Sequence, residues 1–258
     1  MARQVVALGG GGFGEGVAAD RGLEDALLGL TGRDEPRVCF VPTASGDADA
    51  YVERVGDALA GRARFSVLRL FAREAGDLDA FLAEQDLVYV GGGSTVNLLA
   101  VWRAHGLDAA LRRAYERGVV MAGVSAGANC WFERCTTDSW RVGRADGLRD
   151  GLGWLPGGFC PHYRSEPARR PQLHRLVDGG FGDTYAVDDG CALHLVDEQL
   201  VGPLASRPDA QAFRVRRTDD DQVVEDELAR GVSRRDRGDA SYAVGSPRRS
   251  RTGSVREA

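Results

Sequence analysis

Between Val119 and Ala128 the chain reads Val-Val-Met-Ala-Gly-Val-Ser-Ala-Gly-Ala. A short apolar run of this kind is the pattern of a buried strand. It ends in Gly123-Val124-Ser125-Ala126-Gly127, where a serine stands between two near glycines. Glycine permits a backbone too tight for other side chains. A serine held on a sharp strand-to-helix turn is the nucleophile-elbow pattern. The small and apolar residues from Ala126 to Cys135 predict that a helix follows. Its first N–H groups would be free to receive a developing negative charge.

The same punctuation recurs upstream. Gln4–Leu8 reads as a first strand and runs into Gly9–Gly14, and Leu87–Val90 runs into Gly91-Gly92-Gly93-Ser94-Thr95. Arg37–Val41 and Phe65–Leu70 are two further predicted strands. Between them, Leu23, Ala26, Leu27 and Leu30 follow helical spacing, as do Tyr51, Val52, Val55 and Leu59. Asp77–Ala83 predicts a short helix. Leu98, Leu99 and Trp102 predict another, which Ser94 or Thr95 can cap, and Leu107 to Tyr115 a third. Strands alternating with helices imply a parallel sheet covered on both faces. Ligands of such sheets bind outside the carboxyl ends of the strands, where the three glycine-rich turns fall. Gly9, Gly11 and Gly14 formally spell a dinucleotide fingerprint. However, the second strand ends in Pro42-Thr43 rather than an acidic residue. The loop is read instead as part of an active-site rim.

Beyond Trp140 the pattern loosens. Gly151–Gly158 reads as a loop, Phe159–Tyr163 as a short strand ending in a histidine, and Pro167–Val177 as a helix. Tyr185–Val187, Ala192–Val196 and Phe213–Val215 read as strands of a later sheet segment or hairpin. The expected organisation is a single α/β domain over residues 1–230. Residues 231–258, polar and then basic at Pro247–Arg251, form an expectedly disordered tail.

A net charge of −5 gives no support for binding nucleic acid or an anionic membrane surface. No apolar run approaches the roughly 20 residues of a membrane span, and no signal peptide is read at Met1–Gln4. The five cysteines, Cys39, Cys130, Cys135, Cys160 and Cys191, are scattered through apolar runs. That favours reduced, buried thiols and a cytoplasmic protein over disulfides or zinc. No cofactor is expected, and the oligomeric state is left open, a homodimer included.

A serine nucleophile needs a base, and the base an orienting acid. Of the four histidines, His105 ends a helical stretch, His174 lies in a polar helix and His194 sits inside a strand. His162 stands at a strand end in a Pro/Gly-rich context and is the favoured base. For the acid, Asp188 and Asp189 both follow Tyr185–Val187.

Together these pieces resemble the peptidase E (aspartyl dipeptidase) family, which also includes cyanophycinase. The resemblance is carried by Gly9–Phe13, Val90–Thr95, Gly123–Ala128, Pro161-His162-Tyr163 with Arg169-Arg170, and Val187–Gly190, in that order. It implies a three-layer α/β/α sandwich with a mostly parallel sheet, related to class I glutamine amidotransferases and flavodoxin-like in build. It implies a serine exopeptidase acting on small peptides, with N-terminal Asp the expected preference. Ser125 falls on the nucleophile, His162 on the base and Asp189 on the acid position, where the family often has Glu. Backbone N–H groups near Gly93 and of Ala126 fall on the oxyanion hole. Ser94 stands where the family often has Asn. Arg164, Arg169 or Arg170 are expected to clamp an acidic substrate side chain. The alternatives are an α/β-hydrolase esterase, whose chain order is Ser, acid, His, and a catalytically inactive small-molecule-binding relative.

Overall fold

The computed structural model describes residues 2–14, 21–71 and 76–229. The tail expected from residue 231 lies outside the described residues. The first half runs β1 (Gln4–Leu8), α1 (Arg21–Gly29), β2 (Arg37–Val41), a 3-10 turn at Thr43–Ser45, α2 (Asp49–Leu59) and β3 (Arg64–Val67). It continues α3 (Leu78–Ala83), β4 (Leu87–Val90), α4 (Thr95–His105), α5 (Leu107–Glu116) and β5 (Val120–Val124). The second half runs α6 (Ala126–Asn129), β6 (Phe132–Thr137), β7 (Asp146–Leu148), β8 (Leu155–Cys160) and α7 (Arg169–Asp178). It ends β9 (Thr184–Val187), β10 (Cys191–Val196), β11 (Gln199–Ala205), β12 (Ala212–Arg217) and β13 (Val223–Glu227).

The protein is an α/β protein with two mixed sheets. The first has seven strands in the order β11-β10-β1-β5-β4-β2-β3. Its five strands β1, β5, β4, β2 and β3 are parallel, while β10 and β11 pair antiparallel along one side. Successive side chains of a strand face opposite ways, so each parallel strand feeds two cores. On one face Val6, Leu8, Val38, Phe40 and Tyr89 pack against Leu23 and Leu27 of α1 and Tyr51 and Val55 of α2. On the other, Val5, Ala7, Val41, Val88 and Met121 pack against Leu98 and Trp102 of α4 and Leu111 of α5. Helices therefore cover both faces of the parallel strands.

A separate second sheet stands where only a later sheet segment or hairpin was expected. It has six strands in the order β13-β12-β9-β8-β6-β7, with β6, β8 and β9 parallel to one another. Three corrections follow from it. The helix expected from Ala126 to Cys135 stops at Asn129, and β6 begins at Phe132. Here burial overrides local propensity. Trp131 is fully buried, with its ring 5.9 Å from Trp102 and 4.8 Å from Trp154, and Phe132 stacks on Phe159 at 4.9 Å. The loop expected over Gly151–Gly158 becomes, from Leu155, the strand β8. Gly158 is needed there because a Cβ would stand 2.4 Å from Thr184 Oγ1 of the neighbouring strand. The strands expected to form one late segment are split: β10 and β11 extend the first sheet, whereas β9, β12 and β13 belong to the second.

All five cysteines are free and buried. Burial pushes the Cys39 thiol up to about 12 and the Cys160 thiol up to about 11, so neither is a thiolate at neutral pH. Among the described residues no helix is long and apolar enough to cross a membrane.

Candidate active site

β5 delivers Ser125 onto a turn with φ 52° and ψ −109°, a conformation that a residue with a Cβ rarely adopts. The two flanking glycines make the turn possible. A Cβ at Gly123 would lie 2.1 Å from the Gly127 carbonyl oxygen, and one at Gly127 would lie 2.3 Å from that of Val90. The Ser125 carbonyl accepts from the N–H groups of Ala128 and Asn129 at 3.0 and 2.8 Å, which begins α6. Ala126 is the first residue of that helix, and its N–H has no acceptor within the helix.

The hydroxyl of Ser125 lies 2.9 Å from Nε2 of His162, and Nδ1 of His162 lies 2.7 Å from Oδ1 of Asp189. His162 comes just after β8 and Asp189 from the turn between β9 and β10. The three side chains thus meet where the two sheets join. With Asp189 ionised, Nδ1 carries the proton and Nε2 accepts from the serine hydroxyl. Burial raises the Asp189 carboxyl. Hydrogen bonds from His162 and Ser165, with the charges of His162 and Arg207, outweigh that and hold it below the ordinary carboxylate value.

The glycine-rich loop after β1 is the common support. Successive carbonyls of Leu8, Gly9 and Gly10 accept from the N–H groups of Ser125 (3.1 Å), His162 (3.2 Å) and Gly190 (2.9 Å). A Cβ at Gly10 would stand 2.1 Å from Asp189 Oδ1 and 3.0 Å from His162 Nδ1. The reading of Gly9–Gly14 as an active-site loop rather than a dinucleotide turn agrees with this placement.

The triple glycine after β4 also reaches the site. A Cβ at Gly92 would lie 3.5 Å from that of Ser125, and at Gly93, whose φ is 136°, a Cβ would stand 2.2 Å from the Ala44 carbonyl oxygen. Ser94 caps α4, its hydroxyl accepting from Asn97 N–H at 3.2 Å.

Each of the three arginines expected to clamp a substrate meets a carboxylate of the protein itself. Arg164 donates through Nε and Nη2 to Asp188 Oδ2 at 2.8 and 2.5 Å. Arg169 has a side chain only 3% exposed and is held by Glu166 at 2.6 Å and by the Thr136 carbonyl at 3.2 Å. Arg170 forks onto both oxygens of Glu225 at 2.8 Å. Asp188, the alternative acid, is buried and engaged by Arg164 and by the Gln211 N–H at 2.9 Å. The other histidines bond elsewhere: His174 lies 2.5 Å from Glu225 and His194 lies 3.0 Å from Gln4 Oε1. Sequence reasoning missed Ser165 and Arg207, whose Nη2 donates to the Asp189 carbonyl at 2.8 Å. Among the described residues no cluster of three or more His, Cys, Asp or Glu side chains is placed to hold a metal ion.

Residues 5–201 match peptidase family S51. The chain is 46% identical over 216 residues to the uncharacterized peptidase YgaJ of Bacillus subtilis, covering 83% of this chain and 92% of that protein. It is 32% identical over 203 residues to a peptidase E of Streptomyces coelicolor, covering 74% and 81%. A protein of Drosophila melanogaster named as a probable alpha-aspartyl dipeptidase is 33% identical over 49% of this chain and 52% of its own length. Among solved structures, a peptidase from an acI-B1 actinobacterium superposes with a TM-score of 0.65 at 16% identity, covering 90% of this chain and 96% of that one. That likeness extends to the fold alone. The chain belongs to peptidase family S51, the serine peptidase family of peptidase E.

Proposed function

We propose that the protein hydrolyses small peptides through an acyl-enzyme, with Ser125 as nucleophile, His162 as general base and Asp189 as the acid that orients it. The observation that carries this reading is the unbroken hydrogen-bond chain from Ser125 Oγ through both ring nitrogens of His162 to Asp189 Oδ1. His162 Nε2 takes the hydroxyl proton as Ser125 Oγ attacks the scissile carbonyl carbon. The imidazolium then gives that proton to the leaving amine. Water, deprotonated in turn by His162, breaks the acyl ester and frees the serine. Asp189, held ionised, keeps the proton on Nδ1 and stabilises the imidazolium. The tetrahedral oxyanion is received by the free N–H of Ala126 at the start of α6 and by the backbone of the triple glycine, with Gly93 as its second donor.

Dipeptides with N-terminal Asp are the first substrates to test, given the names carried by the peptidase E and aspartyl dipeptidase relatives. The order Ser125, His162, Asp189 does not suit an α/β-hydrolase esterase, in which the acid precedes the histidine. The test is digestion of a dipeptide library containing Asp-x, β-Asp-x and neutral N-terminal residues, with Ser125→Ala as control. The wild type should cleave and label at Ser125 with a fluorophosphonate. The variant should stay folded and lose about 10⁴-fold or more in kcat. Undiminished hydrolysis by Ser125→Ala would sink the assignment.

A further inference from the structure

His162 sits at φ 54°, outside the comfortable range of a side-chain-bearing residue. Such a conformation persists only where the surroundings over-determine it. The hydrogen bonds of its own turn are not short: His162 N–H to Gly9 at 3.2 Å, Tyr163 N–H to Val187 at 3.2 Å and Glu166 N–H to the His162 carbonyl at 3.0 Å. Two residues beyond His162, one guanidinium joins three segments. Arg164 reaches Asp188 Oδ2 on the β9–β10 turn through Nε and Nη2, at 2.8 and 2.5 Å. Its Nη2 also reaches the Asp209 carbonyl, between β11 and β12, at 2.6 Å. Its cationic carbon lies 5.4 Å from the centre of the Phe213 ring.

Asp188 completes the junction. Its side chain is 7% exposed. Its N–H donates to the Gln211 carbonyl at 3.0 Å while its Oδ2 accepts from the Gln211 N–H at 2.9 Å. The segment from Ser206 to Gln211 is thereby strapped across the acid turn, where Ser206 N–H also donates to Gly190 at 2.9 Å and Arg207 to Asp189 at 2.8 Å. This strap lies past residue 201, where the family match ends.

We propose that Arg164 is a positioning residue: through Asp188 and the main chain of Asp209 it fixes the turn carrying His162 against the turn carrying Asp189. The proposal rests on the triad reading above. Arg164 commits Nε and Nη2 to Asp188, a buried carboxylate that would be left uncompensated if the guanidinium swung away to a substrate. Removing the guanidinium should let the two turns drift apart, and a misplacement of the order of 1 Å costs about 10²-fold in rate.

The experiment compares Arg164→Ala, Arg164→Lys and Asp188→Asn with the wild type. It measures kcat and KM on one Asp-x and one neutral dipeptide, the fluorophosphonate labelling rate of Ser125, and Tm. Arg164→Ala should lower kcat about 10²-fold on both peptides, slow labelling alike and leave KM unchanged. Arg164→Lys should recover part of the loss, because it restores the charge but not the two-donor fork. Asp188→Asn, which keeps the shape, supplies the same readout at smaller size should Arg164→Ala fail to fold. A KM increase confined to the Asp-x peptide would make Arg164 a substrate clamp and overturn the proposal. A lowered Tm with unchanged labelling and kcat would overturn it as well. Wild-type protein that does not label at Ser125 would overturn the triad reading and this proposal together.

Discussion

The proposed nucleophile and the proposed base–acid pair are held by different means. Ser125 rises from β5, a strand buried at every residue between two parallel neighbours. Its turn is set by backbone on backbone: Gly123 on Gly127, Gly127 on Val90, and the Ser125 N–H on Leu8. His162 and Asp189 instead occupy turns at the edge between two sheets. They are tied by the carbonyls of Gly9 and Gly10 and by side-chain charges, Arg164 with Asp188 and Arg207 with the Asp189 carbonyl. Packed backbone leaves little room for adjustment. Ion pairs respond to charge, pH and the length of a side chain. The nucleophile side should therefore fail as a unit, whereas the base–acid side should be tunable residue by residue.

The largest effect expected on that side comes from Asp189→Asn. It keeps the shape but removes the ionised acceptor that fixes the His162 tautomer, and kcat should fall about 10⁴-fold. Asp188→Asn, one residue away, should cost far less, because Asp188 acts on the triad only indirectly, through Arg164 and the Gln211 strap. Steady-state kinetics of the pair check this directly, and equal losses would erase the difference between acid and brace. Gly10→Ala should come next. Its methyl would stand 2.1 Å from Asp189 Oδ1, so the carboxylate must move off His162. A loss of about 10²-fold in kcat with KM unchanged is expected for such a displacement. Full activity in this variant would show that the base–acid side does not depend on the close approach of the β1 loop.

The same contrast decides what was legible in the sequence. The parallel strands are buried on both faces, so they read as apolar runs: Gln4–Leu8, Arg37–Val41 and Leu87–Val90 are observed with those bounds. The second sheet has no such signature. β8 carries Pro156-Gly157-Gly158, and β13 is the half-exposed run Val-Val-Glu-Asp-Glu. β6 hid behind the small residues after Ser125, because what decides it is the burial of Trp131 against distant tryptophans. The site divides likewise. Ser125 could be read from five neighbouring residues. His162 emerged by exclusion among four histidines, and Asp189 over Asp188 only from the resemblance. Arg164 reads in the sequence as a substrate clamp and not as a brace, and Arg207 gives no signal. Their partners lie 24 and 18 positions away, and only the folding of the second sheet brings them together.

The smallest catalytic effect is expected at the outer end of the base–acid side. Glu225, on β13, receives both Arg170 nitrogens at 2.8 Å, the Tyr163 hydroxyl and His174 Nε2. Tyr163 adjoins His162 in the chain. Burial raises the Glu225 carboxyl, but the hydrogen bonds from Arg170, Tyr163 and His174 outweigh it and hold it at about 2, below its ordinary 4.5. A carboxyl depressed on folding contributes stability that is fully present above its unfolded value and is lost as pH falls through the folded one. Wild-type Tm, followed by circular dichroism, should therefore fall more steeply between pH 5 and pH 2 than that of Glu225→Gln, the two curves converging in acid. At neutral pH the variant should be the less stable protein yet keep kcat within a few-fold, because His162 is still held by Gly9 and by its own turn. A kcat loss approaching that of Asp189→Asn would mean that β13 governs the imidazole directly. The base–acid side would then move as one rigid piece, as the nucleophile side does.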